Sequence, residues 1–424
     1  MAKPSLASQK KVTPENLAGL GAERLAQILF EVAQSRTDLK RRLRMELAAD
    51  LGPGHLVAEI DKRLSALETS RGQVGWRQKP AFLRDLEALR SLIAERLGAA
   101  DSDAALERLW RFLGAHGQTA RRLKDRDEAF EAVYQAAARD LGALLAQHDP
   151  HLAANALVEA AAGAPQAWAA WAPAALPPLT AAASRVALAL AQARPRAAPG
   201  WTIFIRHLAD AAADTSAYAQ TFSDSALATP PVAVEVARRW LATGRTDEAG
   251  AALRLAAPKP KGLLGRLAAP DFDWESAWID YLDAAGERDA AQAVRWASFQ
   301  RTLEASRAKA YVARLGDFDD VEAEGRIFAM AAAQDDFQKG LSVLMAWPAL
   351  PEASAMILAR GQDARLDPEL AETWAGKLRR RFPAAAERLL RRGAAAAFRR
   401  GALRLADRLT QEAEALADAA RVAG

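Results

Sequence analysis

The densest run of potentially reactive side chains in this 424-residue sequence is Asp317, Phe318, Asp319, Asp320, Val321, Glu322, Ala323 and Glu324. Carboxylates so spaced could ligate Mg²⁺ or Ca²⁺. The run lacks the glycine and ligand spacing of a calcium loop, whereas an Asp before a helix with acids in its first turn is what capping and the helix macrodipole favour. We expect a helix start here and an acidic surface of Asp317, Asp319, Asp320, Glu322 and Glu324. His148 and His151 have metal-compatible spacing, but Asp149-Pro150 between them predicts a helix boundary, and no third ligand follows. No cofactor or metal is expected.

A second cluster is basic. Between Lys377 and Arg408 there are 11 Lys and Arg against two acids, Glu387 and Asp407, while Asp271 to Asp336 holds 15 acids against 7 bases. Blocks of this kind steer charged partners. The candidate partner surface is Lys377, Arg379, Arg380, Arg381, Arg388, Arg391, Arg392, Arg399 and Arg400. Its arginines could pair with phosphates and Phe382 and Phe398 could stack on bases, so nucleic acid is the alternative partner to a protein. The position of Phe382 beside a proline corner, and of Phe398 in an alanine-rich helix, predicts core packing for both. The basic and acidic blocks could also dock on each other.

Motifs for catalysis are missing: no Ser, His and Asp set, phosphate loop or dinucleotide glycine fingerprint can be found, so we expect no enzyme. There is no cysteine, which excludes disulfides, thiol catalysis and cysteine-ligated zinc and fits a reducing compartment. Neither a signal-peptide-length apolar run at the start nor a membrane-length apolar segment is visible, and a cytoplasmic protein is expected.

The elements that must position these residues are helical. Apolar residues make up 51% of the chain, and much of that fraction is alanine, which favours helix and close helix approach. A chain of this length exceeds one compact core. Thr13, Pro14 and Glu15 form a cap, a proline at the first helical position and an acidic first turn. Leu17, Leu20, Leu25, Ile28, Leu29 and Val32 follow at spacings that predict a buried stripe. Leu39, Leu43 and Leu47 predict the buried side of a second helix, with Lys40, Arg41 and Arg44 outside. Leu56, Ile60, Leu64 and Leu67 mark a third, and Phe82, Leu86, Leu89 and Ile93 a fourth.

Alanine and six prolines divide Ala160 to Gly200 into short pieces, and Pro258 to Pro270 reads as an exposed loop. Trp240, Leu241, Gly244, Arg245, Glu248, Ala249 and Leu253 share a grammar with Tyr281, Leu282, Gly286, Glu287, Ala290, Ala291 and Val294. Glycine gives a left-handed exit from one helix, and small residues let the next helix pack on it. Two copies point to tetratricopeptide-like hairpins, with more at 318–347 and 370–416. Of the 11 tryptophans, Trp168, Trp171, Trp201, Trp274 and Trp278 lie in segments broken by turns; core packing is expected for most, partner anchoring for some.

The segments ENLAGLGAERLAQILFEVA (Glu15 to Ala33), KRRLRMELA (Lys40 to Ala48), RDAAQAVRWASF (Arg288 to Phe299), GDFDDVEAE (Gly316 to Glu324) and AWPAL (Ala346 to Leu350) resemble an uncharacterised bacterial helical family, a domain of unknown function, across nearly the whole chain. Ile60 to Leu89, with Trp76-Arg77, also resembles the helical region accompanying the zinc finger of SWIM-type proteins, although the finger's Cys and His pattern does not occur here. Related proteins carry an acidic Asp-Asp-Ser-type segment where this chain has Leu123 to Glu128. The resemblance implies helical repeats and transfers no catalytic residue.

The expected architecture is all-α: stacked hairpins, tetratricopeptide-like or α-solenoid, behind an N-terminal bundle. Its expected divisions are a disordered start at 1–12, a bundle at 13–160, a connector and first repeat at 161–257, a loop at 258–270 and a repeat region at 271–424. The function read from it is a non-enzymatic scaffold binding a protein partner.

Overall fold

The computed structural model describes residues 12–124, 128–195, 199–261, 266–267, 269–316, 318–360 and 366–423. The chain divides into two compact units, 1–223 and 224–424. Both are helical, and the described strands are a two-residue antiparallel pair, Pro260 opposite Leu267 and Lys261 opposite Arg266.

In the first unit Thr13 caps Pro14–Ala18, its hydroxyl accepting from the Asn16 N–H at 3.3 Å. The helix stops after one turn, and Ala22–Ser35 begins afresh after Gly21, whose φ of 83° suits glycine. Thr37–Asp50 and Pro53–Thr69 follow. Lys79–Ser91 widens into a π-helical stretch, Leu92–Leu97. Then come Ser102–Gly114, His116–Arg121, Glu128–Leu145, Pro150–Gly163, Pro165–Ala175, Ala181–Gln192, Pro199–Ala211 and Thr215–Ala219.

From Ser102 onward the packing repeats. Ser102–Gly114 lies on Glu128–Leu145, Glu128–Leu145 on Pro165–Ala175, Pro150–Gly163 on Ala181–Gln192, and Pro165–Ala175 on Pro199–Ala211. Such stacking buries a continuous core although no single hairpin could bury its own apolar face. Trp168, Trp171 and Trp201 are buried in it, Trp171 against Tyr134 and Trp168 against Phe204. Gly142 permits the close approach: a Cβ there would stand 2.0 Å from the Ala175 carbonyl oxygen.

The second unit comprises Asp224–Leu227, Pro230–Ala242, Thr246–Leu255, Phe272–Ala284, Arg288–Thr302, Ala305–Val312, Asp319–Ala332, Phe337–Ala346, Leu350–Arg360, Pro368–Leu378, Pro383–Arg399 and Leu403–Ala423. The glycine grammar is realised as read. Gly244 has φ 73° and the next N–H, of Arg245, donates back to Trp240 O at 2.9 Å; Gly286 has φ 79° and Glu287 N–H donates to Leu282 O at 2.9 Å. A third corner of the same kind joins Pro383–Arg399 to Leu403–Ala423, with Gly401 at φ 75° and Ala402 N–H donating to Ala397 O at 3.0 Å.

Three expectations are overturned. The Leu17 to Val32 stripe is broken at Gly19–Gly21, and Leu17, Leu20, Ile28, Leu29 and Val32 remain exposed. In Thr37–Asp50, Leu39 and Leu43 are half-buried and Lys40 and Arg44 exposed as expected, but Leu47 stands 67% exposed, Met45 and Ala48 take the buried positions, and Arg41 reaches in to the buried Asp85 carboxylate at 2.8 Å. Phe398 is also solvent-facing, at 67% exposure: Ala394, Ala396 and Ala397 supply the buried positions in the last turns of its helix. Phe382 packs, partly buried, against the core of the second unit.

Candidate functional site

The basic run is distributed by the two helices that carry it. Lys377, Arg379, Arg380 and Arg381 stand exposed around the turn between Pro368–Leu378 and Pro383–Arg399, where cations complement the carbonyl end of the first helix. Arg399 and Arg400 lie at the far end of the second helix, about 24 Å away at 1.5 Å per residue. Between the two ends the guanidinium groups are used internally. Arg388 donates to Leu358 O, Arg391 Nε donates to Glu387 Oε1 at 2.7 Å, and Arg392 lies over the Phe337 ring at 5.6 Å.

Arg400 Nη1 donates to Asp367 Oδ2 at 2.9 Å. That bond, with the backbone N–H groups of Glu369 and Leu370 that Asp367 caps, holds its carboxyl below the usual range. Nine residues contiguous in type thus become an exposed corner, a paired middle and a separate far end.

Of the acidic residues, Asp317 lies outside the described residues. Asp319, Asp320 and Glu322 form the first turn of Asp319–Ala332, as the macrodipole argument expects, but the capping position is taken by Phe318 at φ 76° and no side chain caps the helix. Glu324 Oε1 accepts from Trp347 Nε1 at 3.0 Å. The basic block takes its partners elsewhere: Arg391, Arg400 and Arg408 pair with Glu387, Asp367 and Glu372. Asp149 caps Pro150–Gly163, so the His148 and His151 pair straddles a helix start. Among the described residues no three His, Asp or Glu side chains converge as a metal site would require.

Sequence reasoning missed three features. The first is a buried charge network in the second unit. Glu275, 3% exposed, accepts from Arg301 and from the Ser298 hydroxyl, and Arg307 donates to Ser298 Oγ, Ser276 Oγ and Phe272 O. Beside it Asp283 accepts from buried Arg295 and from Arg314, and these line a cleft of about 310 Å³ with Arg288 and Gln292. Its signal was present: Glu275 and Arg295 occupy the apolar phase of their helices, next to Trp274 and Trp296.

The second is a cleft of about 470 Å³ in the first unit, where His116 meets Glu131 at 3.2 Å and Trp171 edge-on. Burial pushes the neighbouring Tyr134 hydroxyl up to about 12, so it keeps its proton at neutral pH.

The third is apolar. Among the described residues, nine of the twenty exposed large hydrophobic side chains fall between Val12 and Leu51, the others being scattered over the rest of the chain. Ala22–Ser35 packs on Pro14–Ala18 and Thr37–Asp50, and of its own side chains buries Ala33.

Fold and surfaces together define an all-α, helical-repeat-like protein. A family of unknown function, DUF6880, matches the chain over residues 7–183 and 172–423, and the chain belongs to it. No curated protein matches it. A solved structure described as a circular tandem repeat protein with novel repeat topology and enhanced subunit contact surfaces is similar at 14% identity, over 99% of this chain and 96% of that one, with a TM-score of 0.19, too low to carry the comparison further. No helix among the described residues is long and apolar enough to cross a membrane.

Proposed function

We propose that this chain is a non-enzymatic helical-repeat scaffold that binds a protein partner through the apolar face of Ala22–Ser35 and the adjoining Thr37–Asp50. The observation that carries this reading is the concentration of exposed apolar side chains between Val12 and Leu51. A 14-residue helix is marginal in water without an apolar face to bury, and Ala22–Ser35 leaves Ile28, Leu29, Phe30 and Val32 uncovered. A cysteine-free chain suits a reducing, cytoplasmic setting.

Nucleic acid is the weaker reading. Its support is the exposed corner of Lys377, Arg379, Arg380 and Arg381, together with the resemblance of Ile60 to Leu89 to SWIM-associated helices; the separation of that corner from Arg399 speaks against a continuous phosphate track.

The test is affinity capture of the tagged chain from its native lysate, with and without nuclease. A stoichiometric protein that survives nuclease and is lost with Ile28→Glu supports the scaffold. Partners lost with nuclease, and with Arg379, Arg380 and Arg381 replaced by Gln, move the assignment to nucleic acid.

A further inference from the structure

The uncovered helix carries its own complement. Leu25, Ile28 and Val32 form one stripe at three- and four-residue spacing, and buried Ala33 marks the side packed on Thr37–Asp50. At about 100° per residue, Arg24 and Glu31 fall together on the opposite, open flank of that stripe, seven residues and about two turns apart. Gln27 Nε2 donates to Glu31 Oε1 at 2.8 Å, holding the carboxylate on that flank.

We infer that the occupant of this face is a second copy of the same chain, with Ala22–Ser35 paired antiparallel to its symmetry mate across a two-fold axis near Ile28. This deepens the partner-binding reading above and rests on it. A two-fold axis makes every contact occur twice. With the axis near Ile28, Leu25 of one copy packs beside Ile28 of the other, and Arg24 of each copy faces Glu31 of its mate. Two ion pairs then flank an apolar seam, the arrangement by which charges beside a coiled-coil seam choose orientation. A parallel pairing would place the Arg24 and Glu31 of one copy on the opposite flank of the seam from those of its mate, so neither could pair with the other. The exposed charges of the helix, Glu23, Arg24 and Glu31, nearly cancel, so two copies approach without strong repulsion.

Sedimentation equilibrium of the full chain tests the inference. The wild type should sediment at twice its 45.5 kDa at micromolar concentration. Ile28→Glu should give a monomer with unchanged far-UV circular dichroism, since the side chain is already solvent-facing. Arg24→Glu should weaken the dimer about tenfold, and adding Glu31→Arg should restore it.

A dimer indifferent to Ile28→Glu, or a charge reversal that the second reversal does not rescue, overturns the antiparallel pairing. A wild type monomeric to about 100 µM overturns self-association. In that case, cross-linking of the wild type and Ile28→Glu in native lysate separates the two failures. Cross-links to another protein that vanish with Ile28→Glu leave the docking face standing without self-pairing, and cross-links indifferent to the substitution sink both.

Discussion

Arg301 Nη2 lies 2.7 Å from both carboxylate oxygens of Glu275, and the two ends of this ion pair live in different media. The Glu275 side chain is 4% exposed and that of Arg301 34%. Removing the cation strands a buried negative charge; removing the anion leaves a guanidinium that water already reaches. Arg301→Ala should therefore destabilise the second unit by about 2–4 kcal/mol and Glu275→Gln by about 1–2 kcal/mol, with the double variant below their sum. Urea unfolding of the four proteins measures this, and equal single effects would refute the asymmetry.

The hairpins put glycine to two uses, one within a helix and one at a corner. Gly250 faces a ring: a Cβ would stand 2.5 Å from Tyr281 Cε2, so Gly250→Ala should cost about 1–3 kcal/mol through overpacking. Gly286 faces open space at φ 79°, so Gly286→Ala carries backbone strain alone, about 1 kcal/mol. Thermal unfolding should rank Gly250→Ala below Gly286→Ala, and Tyr281→Leu should relieve the first and leave the second untouched.

Asp367 links stability to pH. Its folded carboxyl titrates below the usual value, chiefly because Arg400 hydrogen-bonds to it, so the ionised form is favoured in the folded state. The sign follows: this stabilisation is fully present above the unfolded value of about 3.9 and is lost as pH falls through the lower folded value. Asp367→Ala should lower stability at neutral pH by about 1 kcal/mol, the usual effect of losing a cap. It should also flatten the pH dependence below about pH 4. Denaturant midpoints from pH 7 downward would show both.

Two phenylalanines at similar positions in alanine-rich helices should behave oppositely. Phe299 is wholly buried and Phe398 is 67% exposed. Phe299→Ala should cost about 3–5 kcal/mol, while Phe398→Ser should stay within about 0.5 kcal/mol. Chemical denaturation decides, and a large effect at Phe398 would place it in an interface.

Much of the secondary structure was legible in local chemistry. Thr13, Asp149 and Asp367 cap helices, Pro150, Pro165 and Pro383 sit at first-turn positions, and Gly244 and Gly286 make their left-handed exits, because each of these preferences acts within four or five residues of backbone. The Leu56, Ile60, Leu64 and Leu67 stripe is buried for a related reason: a helix with one continuous apolar face has one way to turn it.

What lay beyond the sequence depended on which helix meets which. The Leu25, Ile28 and Val32 stripe has the same periodicity as the buried one, and its exposure follows from Ala22–Ser35 turning Ala33, and not the stripe, into the contact it makes with its neighbours. Arg41 turned inward because Asp85, 44 residues on, waits buried for it, and the arginines from Arg379 to Arg400 were shared out among a helix end, a backbone carbonyl, a ring and two acids. Periodicity determines that a residue belongs to a face; only the tertiary structure decides what that face meets, because burial and ion pairing are properties of two surfaces and a sequence pattern describes one.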